Sequence, residues 1–232
     1  MKRSIPFLFI AVLLTLSTSV FAEIRETRTI QPFSKIQAAS LFEVVYTQSA
    51  ELSCTVAGDD NLVKNTVMEV KDETLLISFS NEECMKNCHN AKIKIMLTGP
   101  EFKGANLSGL SSLKLAGDFP KNAIDLSVSG VAQFTGKINA TVFSGNFSGV
   151  AEVKLEGAAD KAEVSVCGTV DLKARELIVD EYQVTVSGVA TAKISVTGKL
   201  DATTTGLGEL TYWGAPKSVA KTVSGLSEIN HR

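Results

Sequence analysis

The fold of this chain is decided by a short motif, seen most clearly at residues 124–130, which read IDLSVSG. Apolar and polar residues alternate in it with the period of two that a half-buried β-strand requires. The motif ends in a small residue and a glycine, the residue type that most easily adopts the positive φ of a tight corner. The surrounding sequence lacks the i, i+3, i+4, i+7 spacing of an amphipathic helix. We therefore predict short strands separated by corners.

The same motif recurs seven times in the C-terminal half of the chain. Its glycines lie 21, 19, 19, 20, 18 and 19 residues apart, at Gly109, Gly130, Gly149, Gly168, Gly188, Gly206 and Gly225. The residue before each glycine is Ser, Thr or Cys, and the fourth residue after it is apolar. Two short strands cannot bury an apolar face alone, but stacked repeats form one continuous core. Because a propeller blade needs about 40 residues, this shorter repeat predicts a parallel β-helix with one coil of about 19 residues per repeat.

The whole of residues 23–232 is predicted to be one all-β domain. Residues 106–229 hold the seven Ser-Gly repeats, and residues 23–105 are expected to form irregular N-terminal coils that close one end of the core. A short helix is expected to start at Asp59 and run towards Met68. The strands predicted in the N-terminal part are residues 42–46, 52–56, 75–79 and 93–97.

Residues 1–22 have the features of a secretory signal peptide. Lys2 and Arg3 precede a short apolar stretch at residues 5–16, and small residues lead to an expected cleavage point after Ala22. The apolar stretch is shorter than the ~20 residues that a membrane-spanning helix needs, and no second one follows. We expect a mature chain without a membrane span, exported to the periplasm, the cell surface or the extracellular medium of a bacterium.

The charge balance excludes one large class of partners. The chain has 23 basic and 25 acidic residues, so its net charge is −2. A nucleic-acid-binding protein needs a clustered positive surface, which this composition does not supply. His89 and His231 are the only histidines, which leaves little room for a histidine-based catalytic centre.

Several segments resemble the head GIN domain family, whose members are described as heads of auto-transporter adhesins. They are residues 30–36 (IQPFSKI), residues 56–62 (VAGDDNL), the Ser-Gly repeats, and residues 212–216 (YWGAP). The resemblance extends over about residues 30–229. It implies an exported β-helical protein without an assigned catalytic residue. The chain departs from the family in its four cysteines, one of which, Cys167, replaces a repeat serine.

The cysteines allow one specific prediction and two alternatives. Cys84 and Cys88 lie in a polar segment, residues 81–90, between two strands, and in an oxidising compartment we expect them to form a disulfide. With His89 they could instead attach haem, although the spacing has one residue more than C-x-x-C-H, or bind zinc, which needs a fourth ligand. Our prediction is that no cofactor or metal is bound. Cys54 alternates with apolar residues, so we expect it in the core.

Acidic residues recur three positions after the repeat glycines and raise the question of an enzyme. They are Glu152, Asp171, Glu209 and Glu228. A polysaccharide lyase or hydrolase needs carboxylates that converge in a groove. Gln133 and Thr191 interrupt this column, and lysines lie two positions further along several repeats. Such alternating charge is typical of a solvated solenoid face, so we expect no catalytic residues.

Small polar residues flank the apolar position before each glycine and form what we call the hydroxyl ladder. Its candidate ligand-binding members are Ser127, Ser129, Asn146, Ser148, Thr185, Ser187, Thr203 and Thr205. Facing outward, the ladder would form a flat, regular surface for a repetitive ligand such as a glycan, or even ice. Alternatively, such side chains stack in register to stabilise the fold itself. Trp213 is a second candidate sugar platform, or a cover for an edge of the core.

Taken together, these patterns predict an exported, non-enzymatic β-solenoid that acts as an adhesin-like or envelope surface-binding protein. Its expected partner is a glycan or another cell-surface ligand. The alternatives are a carbohydrate-active enzyme on the same scaffold, and a structural protein that assembles end to end through unpaired strand edges.

Overall fold

The computed structural model describes residues 24–81 and 93–232. The predicted signal peptide, residues 1–22, lies outside the described residues. So does the segment that contains Cys84 and Cys88, and the disulfide, haem and zinc hypotheses for that segment stay predictions.

The described residues form fifteen strands of one sheet and one short helix, which confirms the all-β prediction. In chain order the elements are β1 (Ile24–Thr27), β2 (Lys35–Ala39), β3 (Phe42–Gln48), β4 (Ser53–Gly58), α1 (Asp60–Asn65), β5 (Thr66–Lys71), β6 (Thr74–Phe79), β7 (Ile93–Gly99), β8 (Gly104–Ser108), β9 (Ser112–Ala116), β10 (Asn122–Val128), β11 (Val131–Gly188), β12 (Thr191–Gly206), β13 (Glu209–Trp213), β14 (Ser218–Gly225) and β15 (Glu228–His231).

Strand β10 illustrates how one copy of the repeat motif folds. Leu126 and Val128 are fully buried, whereas Asp125 is exposed, as the alternation of the sequence requires. Strand β10 runs parallel to β8 on one side and to β11 on the other, so that Val128 lies between Leu107 and Phe147. Each buried position therefore packs beside the equivalent position of the neighbouring repeats, which extends one apolar column through several strands.

Three branches of the sheet meet at β11. One passes through β9, β3 and β7, another through β10, β8, β2 and β6, and the third through β12, which also pairs with β13 and β14. The ladders formed by the repeat strands β8 to β15 are parallel. Buried side chains from all three branches belong to a single hydrophobic core.

The repeat glycines have the backbone conformation predicted for corners, although Gly149 and Gly168 lie within the long β11 and not between strands. All seven have positive φ angles, from 72° to 108°. A Cβ atom at Gly149 would lie 2.5 Å from the carbonyl oxygen of Gly130, and one at Gly130 would lie 2.8 Å from the backbone of Gly109. Glycine is therefore required here for two reasons: the backbone conformation disfavours other residues, and the next corner stacks directly against it.

The N-terminal part combines repeat-like strands with antiparallel ones. Strands β2 and β3 pair in parallel with the first repeat strands, β8 and β9. However, β1 and β4 add antiparallel strands beyond β7, and β5 adds one beyond β6. These additions cover strand edges that would otherwise be unpaired.

The predicted helix is present as α1, which begins after Asp59. The Asp59 side chain caps it by accepting a hydrogen bond from the backbone N–H of Asn61 at 3.0 Å. The helix ends at Asn65, before Met68, because the chain continues directly into β5. Leu62 is completely buried in the core, so the helix closes this end of it.

Cys54 lies in the core, as its alternation predicted. Its side chain is completely buried, and its Sγ lies 3.6 Å from the Sδ of Met68. Burial raises the pKa of the Cys54 thiol to about 11, so the thiol is protonated at neutral pH. Cys167 is exposed and, like Cys54, is not in a disulfide.

Candidate functional site

The hydroxyl ladder faces outward along the repeats. Its members, Ser127, Ser129, Asn146, Ser148, Thr185, Ser187, Thr203 and Thr205, are all exposed or half-buried. The residues between the ladder positions, such as Phe147 and Val186, are buried. The strand alternation thus places this set of small polar side chains on the outer surface.

Part of the ladder is used by the fold itself. The Ser129 hydroxyl donates a hydrogen bond to the carbonyl oxygen of Leu107 at 3.4 Å, and the Ser187 hydroxyl donates one to Val166 at 3.1 Å. Both bonds join one repeat to the preceding repeat. These two hydroxyls are therefore stabilising contacts between repeats, and less available to a ligand than their exposure suggests.

Trp213 is half-buried and has one occupied ring face. The guanidinium carbon of Arg175 lies 4.8 Å from the centre of its ring, in the geometry of a cation–π contact. The neighbouring Tyr212 is buried, and the imidazole of His231 stacks on it with ring centres 4.6 Å apart. This arrangement resembles the cover of a core edge more than an open sugar platform.

The acidic column does not form a converging pair of carboxylates. The ammonium of Lys173 bonds to the carboxylates of both Glu152 and Asp171, the latter at 3.2 Å. These hydrogen bonds, first to Glu152 and then to Asp171, raise the pKa of Lys173. Glu209 accepts a hydrogen bond from the Thr211 hydroxyl at 3.2 Å. The members of the column are thus engaged in local polar contacts on the surface.

A different column, which sequence reasoning missed, is the most unusual feature of the surface. The residue after each repeat glycine is aliphatic in six of the seven repeats, and these six side chains are 53% to 84% exposed. We call them the aliphatic row: Leu110, Val131, Val150, Val189, Leu207 and Leu226. Thr169 occupies the same position in the remaining repeat. The signal was visible in the repeat alignment as an apolar residue directly after the corner.

Part of the aliphatic row lies in a groove with a volume of about 780 Å³. The groove runs past the corners of successive repeats, from Leu110 through Val150 to Val189. Many of the polar residues along it lie three positions after the corners, including Glu152 and Asp171, whereas Glu43, Thr169 and Lys193 lie at other positions. The groove therefore combines an aliphatic part, formed by the row and called its floor below, with a polar and charged margin.

The backbone of the groove floor is already hydrogen-bonded along the stacking direction. The N–H groups of Val131 and Val150 donate to the carbonyl oxygens of Gly109 and Gly130, both at 2.8 Å. The N–H of Val189 donates in the same way to the preceding corner at 3.0 Å. Because these donors and acceptors are used between repeats, the floor presents side chains to a ligand.

The two ends of the groove differ in charge. Glu43 lines one end, and Lys193 lines the other. Within residues 24–81 and 93–232, Lys193 has no salt-bridge partner. Between them, the Lys173 ammonium contacts two carboxylates of the margin, Glu152 and Asp171, and offsets one of their two negative charges. Lys193 is thus the uncompensated cation of this site.

Metal-binding clusters and membrane-spanning helices are both absent from the described residues. Across the described ranges, no group of three or more His, Cys, Asp or Glu side chains is arranged to hold a metal ion. No helix within residues 24–81 and 93–232 is long and apolar enough to cross a bilayer.

The fold defines the class to which the chain belongs: all-β proteins built from repeats that pair through parallel strands. Within this class, residues 32–216 match the family model described as "Putative auto-transporter adhesin, head GIN domain". The chain therefore belongs to the head GIN domain family, which confirms the resemblance seen in the sequence. An adhesin-like family suggests an exported or surface protein of bacteria that binds a surface ligand.

Solved structures with the same fold support this assignment. The chain is similar to a putative adhesin from Bacteroides fragilis, at 26% identity and a TM-score of 0.85, with 91% of this chain and 97% of that chain covered. It is also similar to a putative adhesin from Parabacteroides distasonis, at 21% identity, a TM-score of 0.73 and the same two coverages. A protein named a putative lipid binding protein, also from Parabacteroides distasonis, has 21% identity, a TM-score of 0.65 and coverages of 90% and 96%. A comparison with curated proteins gives no significant match.

Proposed function

We propose that this protein is an exported, non-enzymatic β-solenoid that binds a ligand of the cell envelope or cell surface through the groove, in the manner of an adhesin. The observation that carries the proposal is the aliphatic row, which stays exposed in repeat after repeat. Its floor residues Leu110, Val131, Val150 and Val189 are each more than half exposed. A soluble protein seldom keeps a contiguous apolar strip in water unless a partner covers it.

The solenoid architecture is supported by the pairing register. Val128 lies opposite Phe147, the equivalent position one repeat later, and Val186 lies opposite Thr204 in the same way. Parallel pairing at this offset is what a chain winding once per repeat would produce. The groove is then a feature of stacking, since it arises where equivalent corners align.

Our proposal that the protein is not an enzyme is supported by the contacts that the side chains of the acidic column make. General acid and base catalysis would need carboxylates placed around a bond to be cleaved. Glu152 and Asp171 instead share the ammonium of Lys173. Their position at the margin of the groove suits solvation and ligand orientation better than cleavage.

A glycan ligand and an apolar ligand fit different parts of the surface. The hydroxyl ladder would suit a glycan, but Ser129 and Ser187 already bond to neighbouring repeats. The groove floor suits an apolar ligand, and one structural neighbour is named a putative lipid binding protein. We therefore place the binding site in the groove and treat the ladder as the control surface.

The proposal is tested by a binding screen on the full chain, expressed with its own N-terminal segment and purified after export. Arrays of glycans and of bacterial envelope lipids are probed, and every hit is analysed for products. The groove variant is Val131→Ser with Val150→Ser, and the matched ladder variant is Ser127→Ala with Ser148→Ala.

We expect saturable binding without product formation, lost in the groove variant and retained in the ladder variant. Product formation would identify an enzyme and contradict the proposal. Binding that is lost only in the ladder variant would move the site to the ladder. If no array component bound, the adhesin-like function itself would be contradicted.

A further inference from the structure

The ligand that fits the groove can be narrowed by length, polarity and charge. This inference rests on the function proposed above and specifies the ligand of the same site. The row from Leu110 to Val189 crosses four steps between repeats, which at ~4.8 Å per step is about 19 Å. The hydrocarbon core of a bilayer is about 30 Å thick and two acyl chains deep, so one chain extends about 15 Å. A single acyl chain therefore matches the length of the floor.

The chemistry of the floor favours an alkyl chain over a peptide. A peptide strand binds to a sheet by exchanging backbone hydrogen bonds with a free edge. Here the N–H groups of Val131, Val150 and Val189 already donate to the preceding corners. A peptide lying on this floor would leave its own amide groups without partners, which is unfavourable. An alkyl chain has no polar groups to satisfy.

The same floor disfavours a sugar. Carbohydrate sites usually combine an aromatic platform with polar side chains that replace the water around the hydroxyl groups. The exposed floor side chains are aliphatic, apart from Thr169. Sugar hydroxyls against Val131 and Val150 would lose hydrogen bonds to water and gain none.

The charges at the two ends orient an amphiphile. Glu43 at one end would repel an anionic head group, whereas Lys193 at the other end would attract it. In the described part of the chain Lys193 has no carboxylate in salt-bridge range. Between the ends, Lys173 offsets only one of the two negative charges of Glu152 and Asp171, so the middle of the groove also disfavours an anionic head group.

We propose that the groove binds one long-chain fatty acid, with its acyl chain along the aliphatic row from Val189 towards Leu110 and its carboxylate at the ammonium of Lys193. A carboxylate is matched to this end because a single lysine supplies one compact positive charge. Binding in this pose covers the exposed aliphatic floor, which is the driving force, and the ion pair sets the direction of the chain.

The test is isothermal titration calorimetry with the full-length chain and monomeric palmitate, near pH 8, where the carboxylate of the fatty acid is ionised. Hexadecanol serves as the uncharged ligand with the same alkyl chain. A series of shorter and longer fatty acids measures how the affinity depends on length. Phosphatidylcholine vesicles without fatty acid serve to detect binding to a membrane surface.

Three variants separate the two parts of the pose. Lys193→Ala should weaken palmitate binding about fivefold or more and leave hexadecanol binding unchanged. Lys114→Ala is the matched control because Lys114 is an exposed lysine at the equivalent position of another repeat, outside the groove lining. Lys114→Ala should leave the affinity for both ligands unchanged. Val131→Ser with Val150→Ser should weaken both ligands about tenfold or more. Thermal unfolding of each variant confirms that it is folded.

The expected result also includes an affinity that rises with chain length and levels off once the floor is filled. If Lys193→Ala lost the same affinity for palmitate and hexadecanol, or lost none, the proposed orientation of the acyl chain would be contradicted. Equal binding to plain vesicles would overturn the single-ligand pose. If neither amphiphile bound while the groove variant still lost an array partner, the fatty acid would be wrong and the proposed function would survive. If the groove variant bound every ligand as well as the unchanged chain does, both the fatty-acid proposal and the proposed function would be contradicted.

Discussion

The two ends of the stacked strands are closed in different ways. At the N-terminal end, the antiparallel strands β1, β4 and β5 and the helix α1 lie beyond the repeat-like strands, and Leu62 of α1 is completely buried. At the C-terminal end, among the strands that the structure describes, β14 pairs with β12 alone and β15 with β13 alone. Every residue of β14 is exposed. The first end is thus closed by additional structure, and the last repeat contributes much less to the core.

This difference shows that residues at equivalent positions of different repeats need not contribute equally to the free energy of unfolding. Val223 occupies the same column as the buried Val186 and Thr204, yet it is 50% exposed. A repeat in the middle is packed on both sides, whereas the last described repeat is packed on one side. Substitutions at matched positions should therefore show a gradient of cost.

The largest effect is expected from a side chain at a central corner. In Gly149→Val, the new Cβ would lie 2.5 Å from the carbonyl oxygen of Gly130, on a backbone with a φ of 80°. We expect the free energy of unfolding to fall by about 3 kcal/mol or more, measured by denaturant titration.

Gly225→Val is the matched change in the last repeat, where the contact to the Gly206 oxygen would be 2.8 Å. It should cost about 1–2 kcal/mol, because β14 pairs on one side only and can shift. Equal costs at Gly149 and Gly225 would show that the last repeat is as constrained as the central ones.

A smaller effect is expected from shortening apolar side chains at the two ends. Leu62→Ala removes a fully buried side chain from α1 and should lower the free energy of unfolding by about 2–4 kcal/mol. Val223→Ala removes a half-exposed side chain and should cost about 0.5 kcal/mol or less. Thermal and denaturant unfolding measure both. A similar cost for the two would contradict the assigned difference between the ends.

The cap of α1 should have an effect of about 1 kcal/mol. Asp59→Ala removes the acceptor of the hydrogen bond from the Asn61 N–H, whereas Asp59→Asn should retain most of it. The control is Asp60→Ala, which removes only an exposed ion pair to Lys64 and should cost a few tenths of a kcal/mol. If Asp60→Ala cost as much as Asp59→Ala, the charge and not the cap would stabilise the helix.

The parts of the fold that the sequence predicted are those encoded in single residues or short alternations. The corners follow from glycine, because few other residues tolerate the φ of 80° seen at Gly149. The burial of Cys54 follows from the alternation of its strand, and the helix start from Asp59. Residues 52–56 were predicted as a strand and lie largely in β4, but the antiparallel pairing of β4 and the strands β1 and β5 were not predicted, because which edge a strand joins depends on distant partners.

The candidate site was predicted less well, for a physical reason. The alternation that places Val128 inside and Ser129 outside is interrupted at the corner, so it gives no side for the residue after the glycine. Sequence reasoning therefore emphasised the polar ladder, whose period was clear. The sequence shows an aliphatic residue after most corners, but its exposure was established only by the structure, in which Val131 and Val150 are more than half exposed.

The smallest effect on stability, and the sharpest difference between the ends, concerns Lys221. It lies opposite Ala202, which is buried, and Ala202 lies opposite Val184, which is also buried. A lysine thus occupies a core-facing column in the last repeat, with its ammonium 4.7 Å from the centre of the Tyr212 ring. A charge at such a position is a known protection of a strand edge against pairing with another chain.

Replacing this lysine should therefore promote the end-to-end assembly that the sequence suggested, without destabilising the monomer. Lys221→Val should change the free energy of unfolding by no more than about 0.5 kcal/mol and should produce concentration-dependent dimers in multi-angle light scattering. Lys199 is an exposed, outward-facing lysine of β12. The control Lys199→Val therefore removes the same charge at a distance from the edge and should leave the protein monomeric. Dimers formed equally by both variants would attribute association to lost charge in general. If Lys221→Val stayed monomeric at high concentration, this lysine would not be what protects the edge. The aliphatic Val219 and Val223 beside it would then be exposed without binding a second chain, so another feature would have to prevent association.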